Sequence, residues 1–511
     1  MSDNNGSSAS ARSATIFSRF ADGSPVGDVI PFYDDGTYHL FVLTPPPGSL
    51  YFPERLYTTW RHLRSRDLLH WEQLPDALAP GEPGAPDDCG IWTGSVIRAE
   101  GRYHIFYTGY SLGRSMPQTV CRATSDDGVV WKKDPDNPVS VPRLEHFEGK
   151  DWRDPYVFWN EEEGCYWMLL STRSLRYPAV ARGVVALQTS PDLQSWSEPE
   201  DLYETFLTHC PECSEMYELG HKWVLAYSRF TDRRGTVYRA AGSPRGPWHH
   251  LDSDGPDGAH WYAAKSLADD RGRRLAFGWV PDRNPKPSTT TGAWLWAGDL
   301  ALPRELSMGE DGQLRASLPA EVVSAASPSS FGRVEFGRGA WSQSDAAEAL
   351  TLSARCKGEF GYCLLHPGST SGAYMVSATV SGADAAAVGL AVETGEQLDR
   401  GFAVLCHLRE GRALAFDLTA AWSELANEYE KATTEYSPVV DSALTGGASD
   451  ELTLQVVVRG DVVEAFVADR AVLTYRLSSD GGVVALLVQD GSATFGDIRI
   501  AALSTQVSGV A

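Results

Sequence analysis

Five segments of this chain share one pattern: a short strand, a tight turn closing on glycine, then a strongly apolar or aromatic strand. They are GDVIPFYDDGTYHLFVL (27–43), IWTGSVIRAEGRYHIFYTG (91–109), WRDPYVFWNEEEGCYWMLLSTR (152–173), PECSEMYELGHKWVLAYSR (211–229) and HWYAAKSLADDRGRRLAFGW (260–279). Their turn glycines, Gly36, Gly101, Gly164, Gly220 and Gly272, lie 65, 63, 56 and 52 residues apart. Glycine suits such turns because it takes positive φ without a steric penalty. A second echo falls between the hairpins. SRDLLHWEQLP (65–75), TSDDGVVWKKDP (124–135), TSPDLQSWSEPE (189–200) and GSPRGPWHHLD (242–252) place Trp71, Trp131, Trp196 and Trp248 near a turn. Each unit has room for about four strands. Radial repetition of four-stranded sheets is a β-propeller, and five units predict five blades.

Past the fifth hairpin the chain changes character. The stretch SAASPSSFG (324–332) is rich in small residues, and from about Val334 short alternating strands recur, as in ALTLSARC (349–356) and GGVVALLVQ (481–489). Period-2 apolar patterning with frequent turns predicts a β-sandwich. The expected organisation is all-β: a tail at 1–15, a five-bladed propeller over 16–308, a linker over 309–333 and a sandwich over 334–511. One helical turn or two is expected within Ala420 to Lys431.

Charge narrows the function. The 44 Lys and Arg against 67 Asp and Glu leave a net charge of −23. Such a surface repels phosphate backbones and anionic lipid, so neither nucleic acid nor a membrane is an expected partner. Monomer and homo-oligomer are equally compatible with the sequence. Eight Cys in 511 residues are too few for a disulfide scaffold. The opening Met1 to Ser13 carries no apolar core of a secretory signal, which predicts a cytoplasmic protein, a secreted mature form being the alternative. Histidines are scattered, and Cys210 and Cys213 form an isolated C-x-x-C with no second pair at similar spacing. No metal or other cofactor is implied.

The innermost strand of each propeller blade lines the central channel. Counting back eight or ten residues from each turn glycine reaches Asp28, Thr93, Asp154, Glu212 and Tyr262. Three carboxylates from three blades are thus expected at one level of one funnel. Clustered carboxylates repel, so one tends to hold its proton while others ionise. That split suits hydrolysis of a glycosidic bond, where one carboxyl is nucleophile and another is acid/base. Trp60, Trp92, Tyr262, Trp294 and Trp296 are candidate apolar faces for sugar rings.

At these residues the sequence resembles glycoside hydrolase family 32, the invertase, inulinase and levanase family. The likeness runs through SRDLLHWEQLPDALAP (65–80), IWTGS (91–95), WRDP (152–155), ECSEMYEL (212–219), WAGDLALPRELSM (296–308) and VVEAFVADRAVLTYR (462–476). The resemblance implies a five-bladed propeller followed by a sandwich and a retaining mechanism. It implies Asp28 as nucleophile, Asp154 as transition-state stabiliser and Glu212 as general acid/base. Arg153 is implied to orient these carboxylates, and Cys213 to modulate the acid/base, an inert buried thiol being the equal alternative. Trp92, Thr93, His62, Tyr262 and Trp296 join Arg153 as implied substrate-binding residues.

The chain departs from the family at its first motif. Members usually read W-M-N-D-P-N-G there, and this chain reads SPVGDVIPF (24–32), keeping only the aspartate. The Pro-rich stretch TPPPGSLYFPERLYTTWRHL (44–63) replaces a short polar loop, and His62 takes the place of the family's G-H-A histidine. The expected function is release of terminal β-D-fructofuranosyl units from sucrose or short fructo-oligosaccharides. The alternatives are fructosyl transfer or dianhydride formation on the same intermediate, a furanosidase for another sugar such as arabinofuranose, and a non-catalytic carbohydrate-binding protein.

Overall fold

The computed structural model describes residues 16–503 except 207, 232–233, 289–291, 330, 345–349, 368–372, 420–438, 445–450 and 478–480. The expected tail and the helical turns within Ala420 to Lys431 lie outside the described residues.

Five sheets form the N-terminal module, four of them plain four-stranded meanders. Their innermost strands are Val29–Asp34, Gly90–Ala99, Phe147–Asn160, Glu212–Leu219 and Tyr262–Ala268, which open blades I to V. These strands touch their neighbours all the way round, and the first meets the last to close the ring. All five turn glycines sit at φ between 62° and 78°. Asp35 and Glu100, just before two of them, also have positive φ, as the tightest hairpin turns require.

The tryptophan echo marks an outer turn that blades I, II and III build alike. Asp67 Oδ1 accepts the amides of Leu69 and His70, at 3.0 and 2.8 Å. Asp127 repeats this with Val129 and Val130, and Asp192 with Gln194 and Ser195. Ser65, Ser125 and Ser190 donate to the same oxygens. Side chain and backbone thus close one turn three times over. The tryptophan that follows wedges into the seam with the preceding blade. Trp131 meets Phe41 edge-on at 5.8 Å and Trp196 meets Phe106 at 5.6 Å.

Blade V runs further than expected. Arg304–Met308 and Leu314–Ser317 are its outer strands, so part of the expected 309–333 linker is propeller. The rest holds a short helix, Ala320–Ser324, and the strand Ser327–Ser329. With that strand included, thirteen strands among the described residues hydrogen-bond continuously and fold over as a nearly closed sandwich. Its long strands Leu350–Pro367 and Val483–Leu503 bend at register shifts, which lets one sheet supply both layers.

The two modules share a core that mixes Trp261, Leu302 and Leu306 with Met375, Val457 and Phe466. At its centre Arg304 pairs with Asp257 at 2.8 Å and with Glu464 at 2.7 Å, and all three side chains are fully buried. Thr474 and Arg459 complete the cluster. Removing one partner of such a pair leaves bare charge in the interior. Arg304→Ala is therefore expected to cost about 3–5 kcal/mol of stability, read as a lowered midpoint in urea.

Candidate active site

Asp28 stands immediately before the first strand of blade I. Both its oxygens are occupied. Thr93 Oγ1 donates to Oδ2, Trp279 Nε1 donates to Oδ1 at 2.9 Å, and Cys213 Sγ lies 3.5 Å from Oδ2. Asp154 and Glu212 converge on the same cavity, of about 280 Å³. Cys213 donates its backbone N–H to Asp154 Oδ2 at 2.8 Å. Arg153 Nη2 reaches Glu212 Oε1 at 3.2 Å, and Tyr262 Oη donates to Glu212 Oε2 at 2.5 Å. Arg153 also binds Asp151 and Gln118 and lies 3.7 Å from Asp154.

A β-bulge explains how neighbouring residues both reach the channel. Register shifts follow Trp92 in blade II, Arg153 in blade III, Glu212 in blade IV and Tyr262 in blade V. The residue after the last three, Asp154, Cys213 and Ala263, has φ of 58°, 55° and 53°. An extended strand sends successive side chains to opposite faces, whereas a bulge re-aims one of them. Two positions per blade therefore line the cavity: Trp92 with Thr93, Arg153 with Asp154, Glu212 with Cys213. The expected single level resolves into two adjacent positions. Glu212 is the equivalent of Arg153, and Asp154 is the equivalent of Cys213. Non-glycine residues held at positive φ store strain, which clusters where a site dictates side-chain direction.

Burial sets the proton affinities. It pushes the Glu212 carboxyl up to about 7, Arg153 opposing and Asp154 adding to the rise. It also lifts Asp28 above the usual aspartate range, against the pull of Thr93 and with the added charge of Asp154. Burial lifts the Cys213 thiol further out of the ionising range.

The remaining expected residues divide. Trp296 lines the cavity beside Trp92. A Cβ at residue 27 would lie 2.5 Å from the Trp296 ring and 2.7 Å from the Leu43 carbonyl, so the departure to glycine before Asp28 is what admits that indole. The Pro-rich loop is fixed over this wall. Arg55 donates to the Trp296 carbonyl and to the Ser49 carbonyl, each at 2.6 Å, and Phe52 reaches the cavity while 62% exposed. His62 is not in the funnel. It is buried, stacked on Phe41 at 4.1 Å, with Nε2 2.9 Å from His39 Nδ1. Its strand position pairs it inside blade I, between Phe41 and Leu74. Trp60 lies in the seam between blades I and II, donating to the Trp92 carbonyl, and Trp294 packs on His260 and Tyr475. Cys210 and Cys213 are free thiols. Trp279, Gln118, Asp151 and Leu43 were not anticipated. Trp279, Gln118 and Leu43 lie on second or third strands, and Asp151 precedes the counted position on the innermost strand of blade III, so no repeat register points from them to the axis.

With this geometry in hand, comparison with known proteins is informative. The sequence matches the Glycosyl hydrolases family 32 N-terminal domain over residues 30–317 and the family 32 C terminal over residues 340–502. The chain belongs to glycosyl hydrolase family 32. A sucrose-6-phosphate hydrolase of Zymomonas mobilis subsp. mobilis is 29% identical over 53% of this chain and 55% of its own length. A cell wall β-fructofuranosidase of Zea mays is 28% identical over 57% of this chain and 52% of its own. The chain thus spans about half the length of the curated relatives it matches. The crystal structure of an exo-inulinase from Aspergillus awamori covers 96% of both chains with TM-score 0.67 and 20% identity, a likeness that carries the fold. No described helix is long and apolar enough to cross a membrane.

Because its carboxyl is raised in the fold, Glu212 contributes stability fully below its unfolded value of 4.5, and that contribution fades as pH rises through about 7. Thermal melts from pH 4 to 8 should show this decline, and Glu212→Gln should remove part of it. Parallel curves for the two proteins would refute the assignment.

Proposed function

We propose that this family 32 protein is a retaining, exo-acting β-fructofuranosidase. The observation that carries the reading is the convergence of Asp28, Asp154 and Glu212, from three blades, on one pocket. Thr93 and Trp279 hold the Asp28 carboxyl, while Arg153 and Tyr262 hold that of Glu212, whose proton affinity burial raises to about 7. In this reading Asp28 attacks the anomeric carbon of a terminal fructosyl unit. Glu212 passes its proton to the departing oxygen, leaving a fructosyl ester on Asp28. Glu212, now ionised, takes a proton from water, which attacks the anomeric carbon, breaks its bond to the Asp28 oxygen and frees Asp28 as a carboxylate. Asp154, fixed by the Cys213 amide, and Arg153 bind the sugar hydroxyls as positive charge develops on the ring. The cavity has the size of a pocket for a chain end rather than a groove for a polymer, which supports exo attack. The curated relatives named for sucrose-6-phosphate and fructofuranoside hydrolysis support the fructosyl unit. Eight free thiols fit a reducing compartment, and so a cytoplasmic enzyme.

Charge favours a neutral substrate. Among the described lining residues Arg153 is the one cation, against Asp28, Asp151, Asp154 and Glu212, and it is already bound to carboxylates. A phosphate would enter a field of its own sign. The enzyme is expected to hydrolyse sucrose or 1-kestose with kcat/KM at least about tenfold above that for sucrose-6-phosphate. The reverse order would place the specificity with the Zymomonas relative.

Glu212→Ala is expected to lower kcat on sucrose by about 10³-fold or more, in line with loss of general acid–base catalysis plus ground-state disruption. An activated aryl fructoside should lose far less, and added azide should restore turnover as a fructosyl azide of retained configuration. Asp28→Asn should be inactive on both substrates and gain nothing from azide. Free fructose released at wild-type rate by either variant would end this assignment.

A further inference from the structure

Trp279 and Tyr262 each hold one carboxylate, and one guanidinium covers both of them. Arg234, immediately before the third strand of blade IV (Gly235–Ala241), sits with its central carbon 5.0 Å from the Tyr262 ring centre and 5.6 Å from that of Trp279. The two rings meet edge to face at 5.4 Å. Tyr262 donates to Glu212 Oε2 and Trp279 donates to Asp28 Oδ1. Arg234 also lines a cleft of about 500 Å³ between blade IV and the sandwich, so it reaches the pair from outside the catalytic pocket. We propose that Arg234 is a positioning residue for the reaction, clamping Tyr262 onto Glu212 and Trp279 onto Asp28 and supplying positive charge on the Oε2 side of the acid.

The clamp has a physical basis. A cation over an aromatic face draws density from the ring, which strengthens the phenol and indole as donors. Arg153 serves Glu212 Oε1, and Arg234 acts on Oε2 through Tyr262, so the two cations divide the carboxyl between them. The groups facing Glu212 are Arg153, Asp154, Tyr262 and Asp28. Cys213 follows it in the strand, and Arg234 stands behind Tyr262. Burial depresses the Arg234 guanidinium while Tyr262 and Glu212 support its charge. A cation that favours ionised Glu212 lowers the pH at which the acid loses its proton. Arg234 thereby trims a proton affinity that burial and Asp154 would otherwise raise further.

The proposal rests on Glu212 as the acid/base. Arg234→Met keeps most of the volume and removes the charge. It should move the alkaline limb of kcat/KM on sucrose upward by about half a pH unit and lower kcat more than it changes KM. Arg234→Lys should restore the limb. In a Tyr262→Phe background Arg234→Met should shift the limb much less, since the relay is already cut. An unmoved limb in Arg234→Met, or Met and Lys variants that behave alike, overturns the proposal while an inactive Glu212→Gln leaves the acid assignment intact. If Glu212→Gln keeps wild-type activity, both fall together. Should Arg234→Met fail to fold, the Lys variant against Tyr262→Phe decides: a limb shifted equally in both removes the charge from the explanation.

Discussion

A closed ring of five innermost strands brings residues of every blade to one axis, and in this chain three of those residues are carboxylates. The ring leaves them no room to move apart. Two unit charges about 4 Å apart repel by about 4 kcal/mol at the dielectric typical of a protein surface, and by more when buried. The relief is to keep a proton. Burial accordingly raises the proton affinity of both Asp28 and Glu212, and donors fix where each carboxyl points. Asp28 collects Thr93, Trp279 and Cys213, whereas Glu212 has Arg153 on one oxygen and Tyr262 on the other. Asp154 receives a backbone amide that cannot swing away. The chemistry proposed for the protein follows from that placement.

Much of this architecture is legible in the sequence because it repeats. A turn glycine at positive φ and an Asp that closes an outer turn are local devices, so they recur wherever the local geometry recurs. The repeat points to Asp28, Thr93, Asp154, Glu212 and Tyr262, of which the first four line one cavity and Tyr262 donates to Glu212 beside it. It could not reveal the bulge. A bulge adds one residue to one strand, and period-2 counting passes over it, so Glu212 and Asp154 were set at one level when they occupy successive positions. His62 shows the opposite failure. A family position suggested the funnel, but its strand register buries it between Phe41 and His39, where burial drives the imidazole down to about 3 and keeps it neutral. Trp279 ends the fifth hairpin segment and Arg234 lies outside all five, and the count from the turn glycines reaches neither. They come from outer strands and reach inward only because the blades pack together.

The sandwich enters the same argument through charge. Arg476, on its strand Ala471–Arg476, donates to Asp299 Oδ2 at 2.5 Å and to the carbonyl of Pro281 at 2.7 Å. Arg19, ahead of blade I, binds Asp282 and Asp299 from the other side. Val26 and Gly298 exchange backbone hydrogen bonds of 2.8 and 2.9 Å beside this knot. The point where the ring closes is thus held by the N-terminal segment, blade V and the second module together. Arg55 of the Pro-rich loop lies 3.8 Å from Asp282 in the same cluster.

That knot sits directly behind the pocket wall. Trp279 and Pro281 belong to one strand of blade V, and Trp296 and Asp299 to the strand paired with it. Arg476 anchors the first at Pro281 and the second at Asp299, while Arg55 grips the Trp296 carbonyl. The indole that replaces a side chain at Gly27 and the indole that serves Asp28 are therefore both held in place from the far side by buried arginines. An indole is rigid, and its placement is only as good as the backbone beneath it. In this protein the second module supplies part of that backing, so loss of the Arg476 anchor bears on how Asp28 is presented as well as on how the modules stay joined.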